Sequence, residues 1–182
     1  MKRLGAIFAG GEARRFGSDK AAALFEGVAL IDHVAAHLRP QVDALIVVGR
    51  RWKAYASAAD RPAPGLGPLG ALAGALDYAE ANGFGTVLTS GCDLPDLPHD
   101  LAALLAPGPA VIAGQPLVGL WPAALAPRLI AYLEADGDRA MRSWIAMTGA
   151  RRVPLARPLP NINTPEDLAA LINPGADPRS SP

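Results

Sequence analysis

The sequence predicts a single α/β domain with a mainly parallel sheet, and three observations lead to that prediction. Short apolar runs typical of strands alternate with segments whose apolar residues recur at helical spacing. The run ALIVV at 44–48 is continuously apolar, as in a central parallel strand covered on both faces. The length of 182 residues fits one domain better than two.

Apolar spacing predicts the elements of the first half. Residues 4–9 form an apolar run typical of a buried strand, and residues 30–38 have helical spacing until Pro40 ends the pattern. The strand at 44–48 follows, and residues 51–59 predict a short helix. The Pro/Gly-rich stretch RPAPGLGPLG then predicts a loop before a helix over 69–81.

The second half continues the alternation. Its predicted strands are 86–89, 110–113, 117–121 and an edge strand at 152–155; its predicted helices are 100–105, 127–134 and 139–147. A last helix begins in NINTPEDL, with Thr164 as its cap, Pro165 at its first position and Asp167 completing a capping box. We expect a domain over 1–172 and a flexible tail at 173–182, which lacks apolar periodicity.

Composition and charge argue against several classes of protein. The 17 basic and 17 acidic residues leave no basic excess, which nucleic-acid and membrane-surface binders usually need. The one cysteine, Cys92, cannot form an internal disulfide or a cysteine-based zinc site. The apolar stretch after MKR is too short for a signal peptide, and no apolar run is long enough to span a bilayer. We therefore expect a cytoplasmic protein.

The predicted sheet brings three loops to one edge, because ligands of parallel α/β sheets bind outside the carboxyl ends of the strands. These loops are GGEARRFGSDK after the first strand, GRR after ALIVV, and GCDLPD after VLTS. The first loop lacks the spacing of a P-loop or a dinucleotide fingerprint. Its paired glycines can still present N–H groups to phosphate oxygens, and Arg14, Arg15 and Lys20 can neutralise a polyphosphate. The alternative is a plain glycine-rich turn with solvated charges.

Two aspartates are candidates in the other loops. Asp93 directly follows a buried strand, a suitable place for Mg²⁺, which takes one or two carboxylates plus phosphate oxygens. A turn-forming role is the alternative for Asp93. Asp60 precedes the Pro/Gly-rich loop and either reaches a ligand or is solvated. No histidine is placed to pair with Cys92, so a buried structural thiol is the better interpretation of that residue.

Two amides lie near the end of the predicted domain. Asn161 and Asn163 come just before the capped helix, where they either contact a substrate or metal-bound water or form a turn. The neighbouring Thr164 and Asp167 have a structural capping role in either case.

The chain resembles the nucleotidyltransferases that use a nucleoside triphosphate, and within them the molybdenum cofactor guanylyltransferases. The motifs FAGGEARRFGSDK, GPLGALAGAL, SGCDLPDLP, QPLVGLW and NINTPEDL occur in the order of that family and cover most of the chain. The resemblance implies a three-layer α/β/α domain with a Rossmann-like sheet. It also implies GMP transfer from GTP to the molybdopterin form of the cofactor, with release of pyrophosphate and with Mg²⁺ as cofactor.

The resemblance also implies roles for individual residues. Catalytic roles fall to Arg15, Lys20 and Asp93, with Asp93 also holding Mg²⁺. Nucleotide contacts fall to Phe8, Ala9, Gly10, Gly11, Lys20, Asp60 and Asp93. Asn161 and Asn163 would face the acceptor. The implied partners are GTP and molybdopterin, with cofactor-delivery proteins and molybdoenzymes beyond them, and we expect a monomer.

One departure from the family's pattern concerns which nucleobase the protein selects. Family members often carry a polar residue, commonly Asn, after the second strand, where this chain has Gly49. Any base contact there would have to come from the backbone. Cytidylyl transfer to the same cofactor and nucleotidyl transfer to a sugar phosphate remain alternatives, because the first loop and Asp93 would serve them equally well. Non-catalytic nucleotide binding is an alternative from a different class of protein.

Overall fold

The computed structural model describes residues 1–10, 19–135, 138–162, 164 and 166–167 of the chain. Within them the chain forms a seven-stranded sheet and a two-stranded hairpin. The strands are β1 Arg3–Phe8, β2 Leu24–Phe25, β3 Val28–Ala29, β4 Ala44–Val48, β5 Ala56–Ala58, β6 Thr86–Gly91, β7 Ala110–Ile112, β8 Gln115–Pro122 and β9 Arg151–Val153. The α-helices are α1 Leu30–Leu38, α2 Gly67–Ala81, α3 Leu101–Leu105, α4 Ala126–Glu134 and α5 Met141–Thr148. The predicted tail at 173–182 lies outside the described residues.

The large sheet has the strand order β5-β4-β1-β6-β8-β7-β9. The first four of these strands are parallel, whereas β8 runs antiparallel to both β6 and β7. Phe8 at the end of β1 pairs with Val48 at the end of β4 and with Gly91 at the end of β6. The three central strands therefore end at one level, which we call the carboxyl edge of the sheet.

Helices cover both faces of the sheet, which confirms the three-layer architecture. On one face, apolar residues of α2, α4 and α5 pack on the β1 residues Leu4, Ala6 and Phe8. On the other face, α1 and α3 pack on Ile7 of β1 together with residues of the neighbouring strands. This two-sided burial explains why the strand sequences are continuously apolar instead of alternating. Among the described residues, no helix has the length and apolar character needed to cross a membrane.

The helix predicted for 51–59 is wrong. Residues 56–58 form β5 instead, at the edge of the sheet, where they pair parallel to β4. The indole N–H of Trp52 donates to Asp32 of α1 at 2.9 Å, which ties the preceding loop to that helix. The partners of this segment are 10 to 20 residues away in sequence, so its strand conformation depends on pairing with β4 and not on its local apolar spacing. The β2–β3 hairpin was not predicted; its turn residues Glu26 and Gly27 both have positive φ angles, as a two-residue turn of type I′ requires.

The capping box before the last predicted helix is confirmed. The backbone N–H of Thr164 donates to Asp167 Oδ2 at 2.9 Å, and the N–H of Asp167 donates to Thr164 Oγ1 at 3.1 Å. These reciprocal bonds satisfy two of the N–H groups that a helix start leaves unpaired. Pro165 and the helix beyond 167 lie outside the described residues.

Glycines of α2 bring the chain before it close to the helix. A Cβ on Gly74 would overlap the carbonyl oxygen of Ala59 and lie 3.0 Å from its carbonyl carbon. The N–H of Arg61 also donates to the carbonyl of Gly70 at 3.0 Å. This close packing of residues 59–61 against α2 determines where Asp60 lies.

We expect Gly74→Ala to destabilise the protein by about 1–3 kcal/mol, because the new methyl group meets rigid backbone. This expected loss of stability is opposite to the usual effect of the substitution, since alanine in a helix normally stabilises a protein by about 1 kcal/mol relative to glycine. Urea unfolding measures the change, with Glu80→Ala at an exposed position of the same helix as the control, expected within about 0.5 kcal/mol of wild type. A Gly74→Ala protein as stable as wild type would contradict the packing argument.

Candidate active site

A cavity of about 620 Å³ opens at the carboxyl edge of the sheet. Its walls come from the residues that follow β1 and β6, from the short helical turn Lys20–Ala22, and from the start of α2. The charged side chains among the lining residues are Asp19, Lys20, Asp60 and Asp93. The structure therefore brings together Phe8, Ala9, Gly10, Lys20, Asp60 and Asp93, all of which the sequence analysis singled out.

Lys20 and Asp93 form an ion pair in this cavity. Lys20 Nζ lies 3.1 Å from Asp93 Oδ2, and the two side chains are only 17% and 22% exposed. Partial burial strengthens such a pair relative to one at the surface, where water and salt screen the charges. The two groups are 73 residues apart in sequence and meet because β1 and β6 are adjacent parallel strands.

Asp60 presents an unsatisfied carboxylate oxygen. Its Oδ1 atom is buried without a hydrogen-bond partner. Desolvation raises the pKa of this carboxyl group above its ordinary value, and the backbone N–H of Gly65 offsets part of the rise. Buried polar atoms in native proteins nearly always have partners, and because Asp60 lines the cavity, a donor or cation bound there is one way in which its carboxylate could gain one.

The donor set fits a hard divalent cation. Asp60 and Asp93 line the same cavity, and both supply the oxygen ligands that Mg²⁺ prefers. In the described part of the chain, no group of three or more His, Cys, Asp or Glu side chains could hold a metal by itself. The protein therefore offers a partial ligand set that phosphate oxygens of a substrate would complete.

Gly49 is required where it stands. Its φ angle is +87°, and a Cβ there would lie 2.5 Å from Gly10 Cα and 2.8 Å from Gly10 N. The chain leaving β1 thus passes directly over the chain leaving β4. Any side chain at position 49, polar or apolar, is excluded by this close approach.

The sequence analysis missed an ion pair beside the cavity. Arg50, just after β4, donates to both carboxylate oxygens of Asp19, at 2.5 and 2.6 Å. The guanidinium group also lies over the ring of Trp52, 5.3 Å from its centroid. The hydrogen bonds from Arg50 lower the pKa of Asp19, and Asp19 raises the pKa of Arg50. The pair anchors the segment that carries Lys20 to the loop after β4.

Asn161 lies next to the Asp93 loop. The N–H of Ile162 donates to the backbone carbonyl of Asp93 at 3.1 Å, and Ile162 is fully buried. The side chain of Asn161 is exposed and accepts a hydrogen bond from Gln115 Nε2 at 3.1 Å. Gln115 had no role assigned from sequence, although QPLVGLW was among the motifs that carried the family resemblance.

Cys92 lines the cavity but is a poor nucleophile. Desolvation is the main cause that raises the pKa of its thiol, to about 11. The thiol is therefore protonated at neutral pH, as expected for a structural cysteine. Four other residues from the sequence analysis, Gly11, Arg14, Arg15 and Asn163, lie outside the described residues.

The comparisons with known proteins place this site in a family of nucleotidyltransferases. Residues 5–153 match the MobA-like NTP transferase domain, and the chain belongs to that family. A relative from Rhodobacter capsulatus, named molybdenum cofactor guanylyltransferase, is 38% identical over 183 residues, which cover 93% of this chain and 94% of the relative. The family resemblance inferred from the sequence motifs is therefore confirmed.

Solved structures confirm the fold. Molybdopterin-guanine dinucleotide biosynthesis protein A from Archaeoglobus fulgidus has a TM-score of 0.67 at 21% identity, over 91% of this chain and 95% of that one. A Mycobacterium tuberculosis protein, solved as a complex with manganese, has a TM-score of 0.63 at 14% identity, over 94% and 98% of the two chains. At these identities the likeness concerns the fold alone.

We expect Asp60→Asn to raise the melting temperature at pH 7. The folded state binds the Asp60 proton more tightly than the unfolded state, so stability is lost as the pH rises from the ordinary aspartate pKa through the raised one. Because Asp60→Asn has no carboxylate to ionise, it avoids this loss of stability at pH 7. The increase in its melting temperature over wild type should become smaller towards pH 4. Thermal unfolding at both pH values measures this, with the exposed Asp96→Asn as the control. A lower melting temperature of Asp60→Asn at pH 7 would contradict the unpaired state of Asp60.

Proposed function

We propose that this protein transfers GMP from GTP to the molybdopterin form of the molybdenum cofactor and releases pyrophosphate. The observation that carries the proposal is the cavity at the carboxyl edge, where Lys20, Asp60 and Asp93 converge in a chain with guanylyltransferase relatives. Lysine and a cation-binding carboxylate are the groups that a triphosphate requires. We further propose that the protein works as a cytoplasmic monomer.

The reaction needs no catalytic base. The terminal phosphate oxygen of the acceptor would attack the α-phosphorus of GTP, forming a new P–O bond while the bond to the departing pyrophosphate breaks. That phosphate is already ionised at neutral pH, so no proton has to be removed. Catalysis then consists of positioning and charge neutralisation. The protonated Cys92 thiol in the cavity agrees with such a mechanism, because it leaves no thiolate for covalent chemistry.

The chain's own residues would supply most of the binding. Phe8, Ala9, Gly10 and Gly11 would hold the guanine and ribose, mainly through backbone groups at the end of β1. Lys20 would turn from Asp93 towards the phosphates and, with Arg15, offset charge on the leaving pyrophosphate. Asp60 would contact the nucleotide or its cation through its carboxylate, since the residue lines the cavity.

Nucleotidyltransferases of this family generally use a divalent metal, and we propose Mg²⁺ here. Asp93 would hold it, with the carboxylate of Asp60, which lines the same cavity, as a second donor. When bound, the cation neutralises charge on the phosphate oxygens.

Asn161 and Asn163 would face the acceptor, on the side of Asp93 where Ile162 is hydrogen-bonded to its backbone carbonyl.

One observation favours a second candidate, cytidylyl transfer to the same cofactor. Gly49 contributes no side chain for a base contact, and its close approach to Gly10 excludes one. Selection of guanine must then come from backbone groups or from other residues of the cavity. Transfer to a sugar phosphate would use the same nucleotide site.

The test is calorimetric binding of GTP, CTP, ATP and UTP with Mg²⁺, followed by pyrophosphate release with molybdopterin. We expect a Mg²⁺-dependent preference for GTP and pyrophosphate release that requires molybdopterin. A preference for CTP would move the activity to the cytidylyl branch. Binding without pyrophosphate release would favour a non-catalytic nucleotide-binding protein, and no triphosphate binding would overturn the proposal.

We expect Asp93→Ala to lower the rate of guanylyl transfer by at least about a hundredfold, because it removes the proposed metal ligand from the reacting phosphates. The fold should persist, since the backbone carbonyl of Asp93, which accepts from Ile162, is retained. Steady-state pyrophosphate release and thermal unfolding measure the two effects. Asp96→Ala, an exposed carboxylate in the same loop, is the matched control and should leave the rate unchanged. Near-normal transfer by Asp93→Ala would overturn the assignment of this residue.

A further inference from the structure

Gln115 lies at the carboxyl edge although it begins a strand. Because β8 is antiparallel to β6, the start of β8 meets the end of β6; the register pairs Thr89 with Gly119 two residues before β6 ends. Leu117, the second residue after Gln115, lines the cavity. Gln115 thus lies beside the loop that carries Asp93, on the side where Asn161 is found.

The hydrogen bonds of Gln115 determine which way the Asn161 amide faces. The side-chain nitrogen of Gln115 lies 3.4 Å from the carbonyl oxygen of Leu159 and 3.1 Å from Asn161 Oδ1. A backbone carbonyl only accepts hydrogen bonds, so the Gln115 group facing Leu159 must be its NH₂. An NH₂ group only donates, so Asn161 must turn its oxygen towards Gln115. The NH₂ group of Asn161 is then directed away from Gln115.

The main chain around Asn161 is fixed by its contacts, but it does not determine which way the Asn161 side-chain amide faces. The hydrogen bond between Ile162 and Asp93, together with the burial of Ile162 against Leu30, holds the main chain of this segment. The Asn161 side chain is exposed, and an amide can rotate by half a turn at little steric cost. Without Gln115, Asn161 could present either an oxygen or an NH₂ group to a ligand.

We propose that Gln115 is a positioning residue that keeps the NH₂ donors of Asn161 available to an anionic group of the acceptor beside Asp93. Phosphate oxygens accept hydrogen bonds, so a donor at this position attracts the acceptor and a carbonyl oxygen would repel it. The proposal rests on the proposed function, because it assigns Asn161 to the acceptor side. Gln115 acts through Asn161 and does not itself touch the substrate.

The discriminating variant is Gln115→Glu, which keeps the shape of the side chain but replaces the donor with a carboxylate that only accepts at neutral pH. Asn161 should then rotate to donate its NH₂ to the carboxylate. This rotation can be observed without any substrate, by NMR of the side-chain amides in the full chain. We expect the Asn161 NH₂ signals, assigned by their loss in Asn161→Ala, to shift downfield in Gln115→Glu. Unchanged Asn161 signals would overturn the inferred orientation.

Kinetics test the consequence for the acceptor. We expect Gln115→Glu to raise the KM for molybdopterin about tenfold, as for loss of one hydrogen bond to a charged group, with the KM for GTP unchanged. In an Asn161→Ala background the same substitution should have a clearly smaller effect, limited to repulsion between the new carboxylate and the anionic acceptor, because there is no amide left to orient. An unchanged KM for molybdopterin, a parallel change in the KM for GTP, or a full effect in the Asn161→Ala background would each overturn the positioning role.

The two proposals fail in distinguishable ways. A wild-type protein that releases no pyrophosphate with molybdopterin and GTP would overturn the proposed function, and with it the link between Gln115 and the acceptor. A wild-type protein that is active and whose Gln115→Glu variant behaves like wild type would overturn only the role of Gln115.

Discussion

The site depends on three parallel strands that end at one level. Phe8 of β1 lies in register with the last residue of β4 on one side and the last residue of β6 on the other. The segments that follow these strands are therefore side by side, and groups from three distant parts of the chain face one cavity. The approach of Gly10 and Gly49 shows how tightly the first two segments cross, because any Cβ at position 49 would collide with backbone.

The charges of the cavity are held in two different ways. Lys20 and Asp93 satisfy each other, so their partly buried charges cost less in the unliganded protein. Asp60 has one oxygen without a partner, and its raised pKa shows that its environment disfavours the ionised form. A cation bound beside Asp60 would stabilise the ionised form of its carboxyl group. A site of this kind trades some stability of the free protein for binding of a charged ligand.

Asp93 connects Lys20 in the cavity to the segment around Asn161. Its carboxylate contacts Lys20, while its backbone carbonyl accepts the N–H of Ile162. The antiparallel strand β8 adds a second connection, since its first residue, Gln115, binds the Asn161 side chain. Hydrogen bonds thus join the loop after β6, the start of β8 and the segment before the last capped helix.

The sequence by itself determined the elements whose signals are local. Helix α1 and strand β4 have the predicted bounds because apolar spacing is a property of neighbouring residues. Asp93 could be assigned to the ligand edge because it directly follows a buried strand of a parallel sheet. The tertiary structure alone decided that residues 56–58 pair with β4 as a strand, and that β8 runs antiparallel. It also decided the pairs Arg50–Asp19 and Gln115–Asn161, which are separated by 31 and 46 residues. Such contacts follow from strand order and direction, which depend on the burial of whole faces and not on any short stretch of sequence.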